Sequence, residues 1–197
     1  MVSQPTTVTF PVTGDPAADQ LLVDDPFALL LGMLLDQQVP MEWAFRGPFT
    51  LRDRLGGTLD AASVAAIGPD AVEAVFREKP ALHRYPGSMG KRAHALAQHV
   101  VDEYGGDAAR IWTTTSDPAE VFARLRALPG FGEDKAKIFL AVLGKRFGAA
   151  PAGWEKYASP FSDAQPRSVA DVDSATALQR VRAFKQEMKK QGKGKAD

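Results

Sequence analysis

Residues 27–35 hold nine consecutive positions without a polar side chain. Immediately before them stand Asp25 and Pro26, an N-cap acid and a proline at the first helical position. That pair starts an α-helix. Phe27, Leu30, Leu31, Leu34 and Leu35 line one face, and Leu29 and Met33 widen it until the helix is apolar nearly all round. Such a helix is stable only when other elements surround it, so it is expected at the centre of a core. Its end is expected near Gln38, because Pro40 cannot continue it. Nine residues are far too few to span a bilayer.

The rest of the chain carries the same punctuation. Pro48 is expected to open a helix over 49–55, stopped by Gly56 and Gly57. Asp60 caps 61–67, and 70–78 ends before Pro80. Ser88 is the expected cap of a longer helix to about Tyr104. A short helix follows at 107–113, and Asp117 with Pro118 repeats the cap-plus-proline start for a helix to about Leu128. Helices are also expected at 133–147, as one turn at 154–157, and from Ser174 or Asp173 to about Lys190, with a loop over 161–167. Only residues 7–10 alternate like a strand or extended arm. The expected fold class is all-α. The division read from the sequence is an N-terminal arm at 1–24, one domain at 25–190 and a disordered basic tail at 191–197.

Apolar residues make up 45% of the 197 and charged residues 24%, as in ordinary globular chains. Cysteine is absent, which excludes disulfides, Cys-ligated zinc, a cysteine nucleophile and an iron–sulfur cluster. The N-terminus lacks the basic start of a signal peptide, so a cytoplasmic protein is expected, with no membrane contact. Net charge is zero but unevenly spread: residues 1–45 hold six acids and no Lys or Arg, whereas 121–197 hold 15 bases against 8 acids. A neutral average of this kind leaves room for a basic face. His83, His94 and His99 do not make a metal-binding pattern, and Gly87 to Lys91 lacks the spacing of a phosphate-binding P-loop.

The most informative stretch is Leu128-Pro129-Gly130-Phe131-Gly132. It joins a helix bearing Val121, Phe122, Leu125 and Leu128 to one bearing Ala136, Phe139, Leu140 and Leu143. So short a connection forces the two helices together. Its glycines let backbone amides face outward at a helix N-terminus, where the dipole favours an anion. Lys135 and Lys137 add positive charge, so the segment suits a phosphate held by amides.

This segment resembles the helix-hairpin-helix of the DNA glycosylases that include endonuclease III, the adenine glycosylase and the 3-methyladenine glycosylases, the helix-hairpin-helix-GPD superfamily. Leu34-Leu35-Asp36-Gln37-Gln38 is similar to that family's Leu-x-x-Gln-Gln, and Gly87-Ser88-Met89-Gly90-Lys91-Arg92-Ala93 to its Gly-x-x-x-Lys-Ala helix start. The likeness runs over about 27–147 with the motifs in the family's order. It implies two helical lobes around a cleft: a middle lobe at about 48–147, and a second from 25–47 with 148–190. It further implies double-stranded DNA as partner, base flipping, and a carboxylate that stabilises an oxocarbenium-like sugar. Gln37, Gln38, Gly130, Phe131, Gly132, Lys135 and Lys91 become the expected DNA contacts. A possible K+ or Na+ site falls on the hairpin carbonyls of Leu128, Gly130 and Phe131.

The family's aspartate position, counted without gaps, falls on 152–154, where no carboxylate stands. Glu155 is one residue on. If 149–170 is an insertion, Asp171 or Asp173 takes the place, and Val172-Asp173-Ser174 is similar to the family's Val-Asp-Thr. All three acids also read as plain caps or surface groups. The lysine of the bifunctional members is replaced by Asp134, itself a minor candidate acid, so a monofunctional glycosylase is expected. The rival is a scaffold of this fold that binds DNA without removing a base. A third reading is a helical protein-interaction domain. Trp43 is the aromatic expected to stack on a base, with Phe45, Phe49, Tyr85 and Trp154 as neighbours. Arg84, Lys91 and Arg92 read equally as phosphate contacts or a solvated face. Lys185, Lys189, Lys190, Lys193 and Lys195 offer nonspecific attraction to DNA. A monomer, nucleoid-associated, is expected.

Overall fold

The computed structural model describes residues 8–194. Among these it contains eleven α-helices and no strand. The expectation of an all-α chain is met. Near the N-terminus the structure departs from the sequence reading. Residues 8–10 pair with no strand, and Thr7 lies outside the described residues. Phe10 is buried instead, its ring edge-on to Phe45 at 5.7 Å and to Phe147 at 5.8 Å. Helix α1, Pro16–Asp24, was not foreseen; Asp15 caps it by accepting from the amides of Ala17 and Ala18.

Helix α2, Pro26–Leu35, sits in the middle as its composition requires, with residues 27–35 all buried. Asp25 accepts from the amides of Phe27 and Ala28. The helix stops at Leu35 rather than near Gln38, with Asp36 as C-cap. Helix α3, Met41–Arg54, runs straight through Pro48. Proline was expected to open a helix there, but its fixed φ is helical and it forfeits one backbone bond. Burial of Met41, Ala44, Phe45, Pro48 and Leu51 on one face offsets that loss.

Helices α4 (Ala61–Ala66) and α5 (Pro69–Arg77) pack on the long α6 (Pro86–Tyr104). Helix α6 starts at Pro86 with Tyr85 as N-cap, so Ser88 lies inside the first turn and is not the cap. After α7 (Arg110–Thr113), α8 (Pro118–Ala127) and α9 (Glu133–Val142) form an antiparallel pair, and α9 continues into a π turn, Leu143–Phe147. Helix α10 (Trp154–Ala158), a 3-10 turn at Val169–Asp171 and α11 (Ala175–Lys190, capped by Ser174) complete the chain. Residues 191–194, expected to be disordered, close α11 with a turn in which the Lys193 amide donates to the Met188 carbonyl at 2.9 Å. Residues 195–197, and Lys195 with them, lie outside the described residues. No helix among the described residues is long and apolar enough to cross a membrane.

Helix α2 is where the groups meet. Helices α1 and α3 flank it, and α6 and α9 each reach it. Its C-terminal end therefore gathers residues from three distant parts of the chain.

Candidate nucleic-acid interface

A helix C-terminus leaves carbonyls without intrahelical partners. At the end of α2 two side chains from elsewhere supply donors. Lys135 Nζ donates to the Leu34 carbonyl at 2.5 Å. His83 Nε2 lies 3.1 Å from both the Leu35 and the Gln37 carbonyl oxygens. The Tyr85 amide donates to His83 Nδ1 at 3.0 Å, which assigns the proton to Nε2 and makes that nitrogen a donor to both carbonyls. His83 is only 1% exposed, and burial holds its pKa below the ordinary value. The ring is a neutral tether.

These bonds fix the turn that carries Gln37 and Gln38. Gln38 is the only non-glycine at positive φ among the described residues, at +57°. Gln37 Oε1 accepts from Arg92 Nη1 at 3.4 Å, and Gln38 Oε1 from the Tyr85 hydroxyl at 3.2 Å. Both amide nitrogens then remain as uncommitted donors among the described residues. Trp43 and Tyr85, each 41% exposed, flank the His83 ring at 6.4 and 6.1 Å, and the Arg84 guanidinium lies over Tyr85 at 5.5 Å.

The hairpin at 128–132 abuts this turn. Gly130 has φ +81°, and a Cβ there would lie 2.4 Å from Leu34 Cδ1, so the fold itself requires glycine. Gly132 differs. A Cβ there would meet nothing within 4 Å, and φ is an ordinary −94°. No side chain caps α9, which begins beside this open glycine. Phe131 turns inward, 6% exposed and 6.1 Å from Phe139, so only its backbone is available to a ligand. The Leu128 carbonyl accepts from the Phe131 amide at 3.0 Å. Lys135 is spent on α2, and Lys137 pairs with Glu133 at 2.9 Å, which lowers the Glu133 pKa. The hairpin is less cationic than its lysines imply. Lys91, exposed on α6, lies 3.4 Å from Glu73.

The expected acids lie elsewhere. Asp171 Oδ1 meets Lys145 Nζ at 2.6 Å, and its Oδ2 accepts from the Arg167 and Ser168 amides at 3.0 Å each. Lys145 is ten residues beyond Lys135, about 15 Å along the helix axis. Asp173 is more open, 56% exposed, 3.7 Å from Arg146. Both line a 380 Å³ cavity with Lys145, Arg146, Asp163 and Arg180. Glu155 is exposed on α10. Asp36 is an acid beside the glutamine turn: it lines a 300 Å³ cavity with Gln38, Val39, Lys185, Met188 and Lys193. The sequence reading passed over Asp36, although it directly precedes the glutamine pair and ends α2. His83, Tyr85 and Arg92 were not foreseen as partners of that pair.

No family model matches the chain. No curated protein matches it. Among solved structures it is similar to a trapped endonuclease III–DNA covalent intermediate, an estranged-adenine complex, at 17% identity and a TM-score of 0.45. That match covers 87% of this chain and 73% of the other. A non-covalent endonuclease III–DNA complex is similar at 18% identity and a TM-score of 0.45, over 86% and 72%.

Proposed function

We infer that this chain binds double-stranded DNA in the manner of a base-excision glycosylase. The observation that carries the reading is convergence. Residues 34–38, 83–92 and 130–135 are far apart in sequence, yet each touches another at the end of α2 through named bonds. These are the segments whose motifs resemble the helix-hairpin-helix glycosylases. In this reading the amides at Gly132 and the start of α9 take a phosphate, as an uncapped helix N-terminus does. Gln37 and Gln38 offer their amide donors to base edges. A monovalent cation on the hairpin carbonyls, a monomeric state and a place at the nucleoid in the cytoplasm belong to the same reading.

Gly132 gives a clean test, because the fold makes no demand for glycine there. Gly132→Val is expected to leave the melting temperature unchanged and weaken binding to every duplex sequence by at least tenfold. Unchanged affinity in a folded variant overturns the hairpin as the phosphate clamp.

The chemical extension is monofunctional hydrolysis. Water adds to the sugar C1′ as the N-glycosidic bond breaks, the base leaves with a proton, and a carboxylate stabilises the oxocarbenium-like sugar. One observation favours the rival, a scaffold that binds without removing a base. The expected acids Asp171 and Asp173 line a cavity at the other end of α9 from the hairpin, and Asp171 is engaged by Lys145 and two backbone amides. Single-turnover base release from uracil, alkylated, oxidised and mismatched duplexes decides. Asp36→Asn, Glu155→Gln, Asp171→Asn and Asp173→Asn are run in parallel. Release abolished in one folded, DNA-binding variant names the acid. No release from any duplex, with salt-sensitive binding retained, establishes the scaffold for that panel.

A further inference from the structure

Helix α11 is held loosely for a 16-residue element: only Ala177 and Val181 are buried. Its distal half lies over the turn between α2 and α3. Arg182 pairs there with Glu42. Two cavities lie between the helix and this turn, and both are lined by Val39 and Lys185. One, of 300 Å³, is lined by Asp36, Gln38, Lys185 and Lys193. The other, of 310 Å³, is lined by Val39, Glu42, Arg182 and Lys185. Residues 180–193 carry six cations and one acid, Glu187.

Those cations are arranged. Lys185 and Lys189 are one turn apart and share a face. The capping turn, closed by the Lys193 amide on the Met188 carbonyl, brings Lys193 to the side where Lys185 and Gln38 meet. Lys190 projects from a different face.

We propose that this row is a rail for the DNA phosphate backbone, continuous with the Gln37 and Gln38 turn, so that α11 extends the duplex footprint beyond the hairpin. The inference rests on the DNA-binding reading above. Two features favour a phosphate backbone as the occupant: lysines gathered on one side of the helix end, and a cavity that Lys185 and Lys193 line together with Gln38. Lysine ammonium groups on flexible stems suit this sequence-independent contact.

The test is binding of the intact chain to a 25-base-pair duplex, with and without a central abasic-site analogue, between 50 and 200 mM KCl. Lys185→Gln with Lys193→Gln is compared with Lys190→Gln with Arg110→Gln, which removes the same charge from other faces. Loss of two phosphate contacts is expected to make the log–log salt slope shallower by about 1.8, at 0.9 per contact. The control pair is expected to change it by less than a quarter of that, and melting temperatures are expected to agree. Equal changes from both pairs overturn the rail in favour of diffuse charge, and an unchanged slope in the Lys185 and Lys193 variant overturns it outright. Absence of salt-dependent binding by the wild type removes the DNA reading as a whole. Wild-type binding that Gly132→Val weakens, with the slope intact in the lysine variant, removes the rail alone.

Discussion

His83 is one residue on which several others depend. Its two ring nitrogens join the Leu35 and Gln37 carbonyls to the Tyr85 amide, and a second proton on Nδ1 would face that amide's own hydrogen. The folded protein therefore binds this proton less readily than the unfolded chain, through burial first and the nearby Lys135 charge last. The sign follows from linkage: stability is complete above the ordinary value of 6.5 and is lost as pH falls from there toward the lowered folded value. The melting temperature is expected to drop between about pH 7.5 and pH 5, and to drop less in His83→Gln; equal slopes in the two proteins would refute the assignment. A sequence reading treats a lone histidine on an indifferent background as packing or surface. That is correct for His94, whose Nε2 lies 3.1 Å from the Ala65 carbonyl. It also holds for His83, which is buried, but it does not name the partners, because they are carbonyls 46 and 48 residues away, and carbonyls leave no trace in a sequence.

At the scale of elements, caps and prolines were the most legible signals, since they act on their immediate neighbours. Asp25 with Pro26 and Asp117 with Pro118 start helices where expected. Asp25 is also partly buried, which raises its pKa despite the two amides it accepts from. Asp25→Ala is expected to cost about 1 kcal/mol by urea unfolding. Asp25→Asn keeps the acceptor without a buried charge and is expected to cost less. The reverse order would show that the charge, not the acceptor, sustains α2. Errors fell where tertiary burial overrides a local rule. Pro48 inside α3 is one case. Helix α1 is another, because a short amphipathic segment in a polar, acidic arm shows its worth only against α2 and α3.

The molecule as a whole is tied together at both ends of α9. At one end Lys135 reaches α2; at the other Lys145 reaches Asp171 and the Asp163 carbonyl, and so holds the loop before α11. The Lys145 and Asp171 side chains are 15% and 12% exposed, so removing one strands the other. Lys145→Ala is expected to cost about 3–5 kcal/mol, and the double replacement Lys145→Met with Asp171→Leu considerably less. If calorimetry finds the single and double variants equally unstable, the pair is not what anchors the loop. This arrangement also explains why the hairpin and glutamine segments could be located in the sequence while the surroundings of the candidate acids could not. Hairpin and glutamine motifs are short and contiguous. The position of a carboxylate after a long connecting segment depends on the path of residues 148–172, which no local pattern encodes.

The bond from Lys135 to the Leu34 carbonyl has a mechanical consequence. It rivets the hairpin to the glutamine turn, and Gly130, seated against Leu34, leaves no clearance between them. Two such parts cannot act as jaws that close on a substrate. They form a gauge of fixed width. If the proposed duplex binds there, it must conform by its own bending, and one already softened at one step fits at lower elastic cost than an intact one.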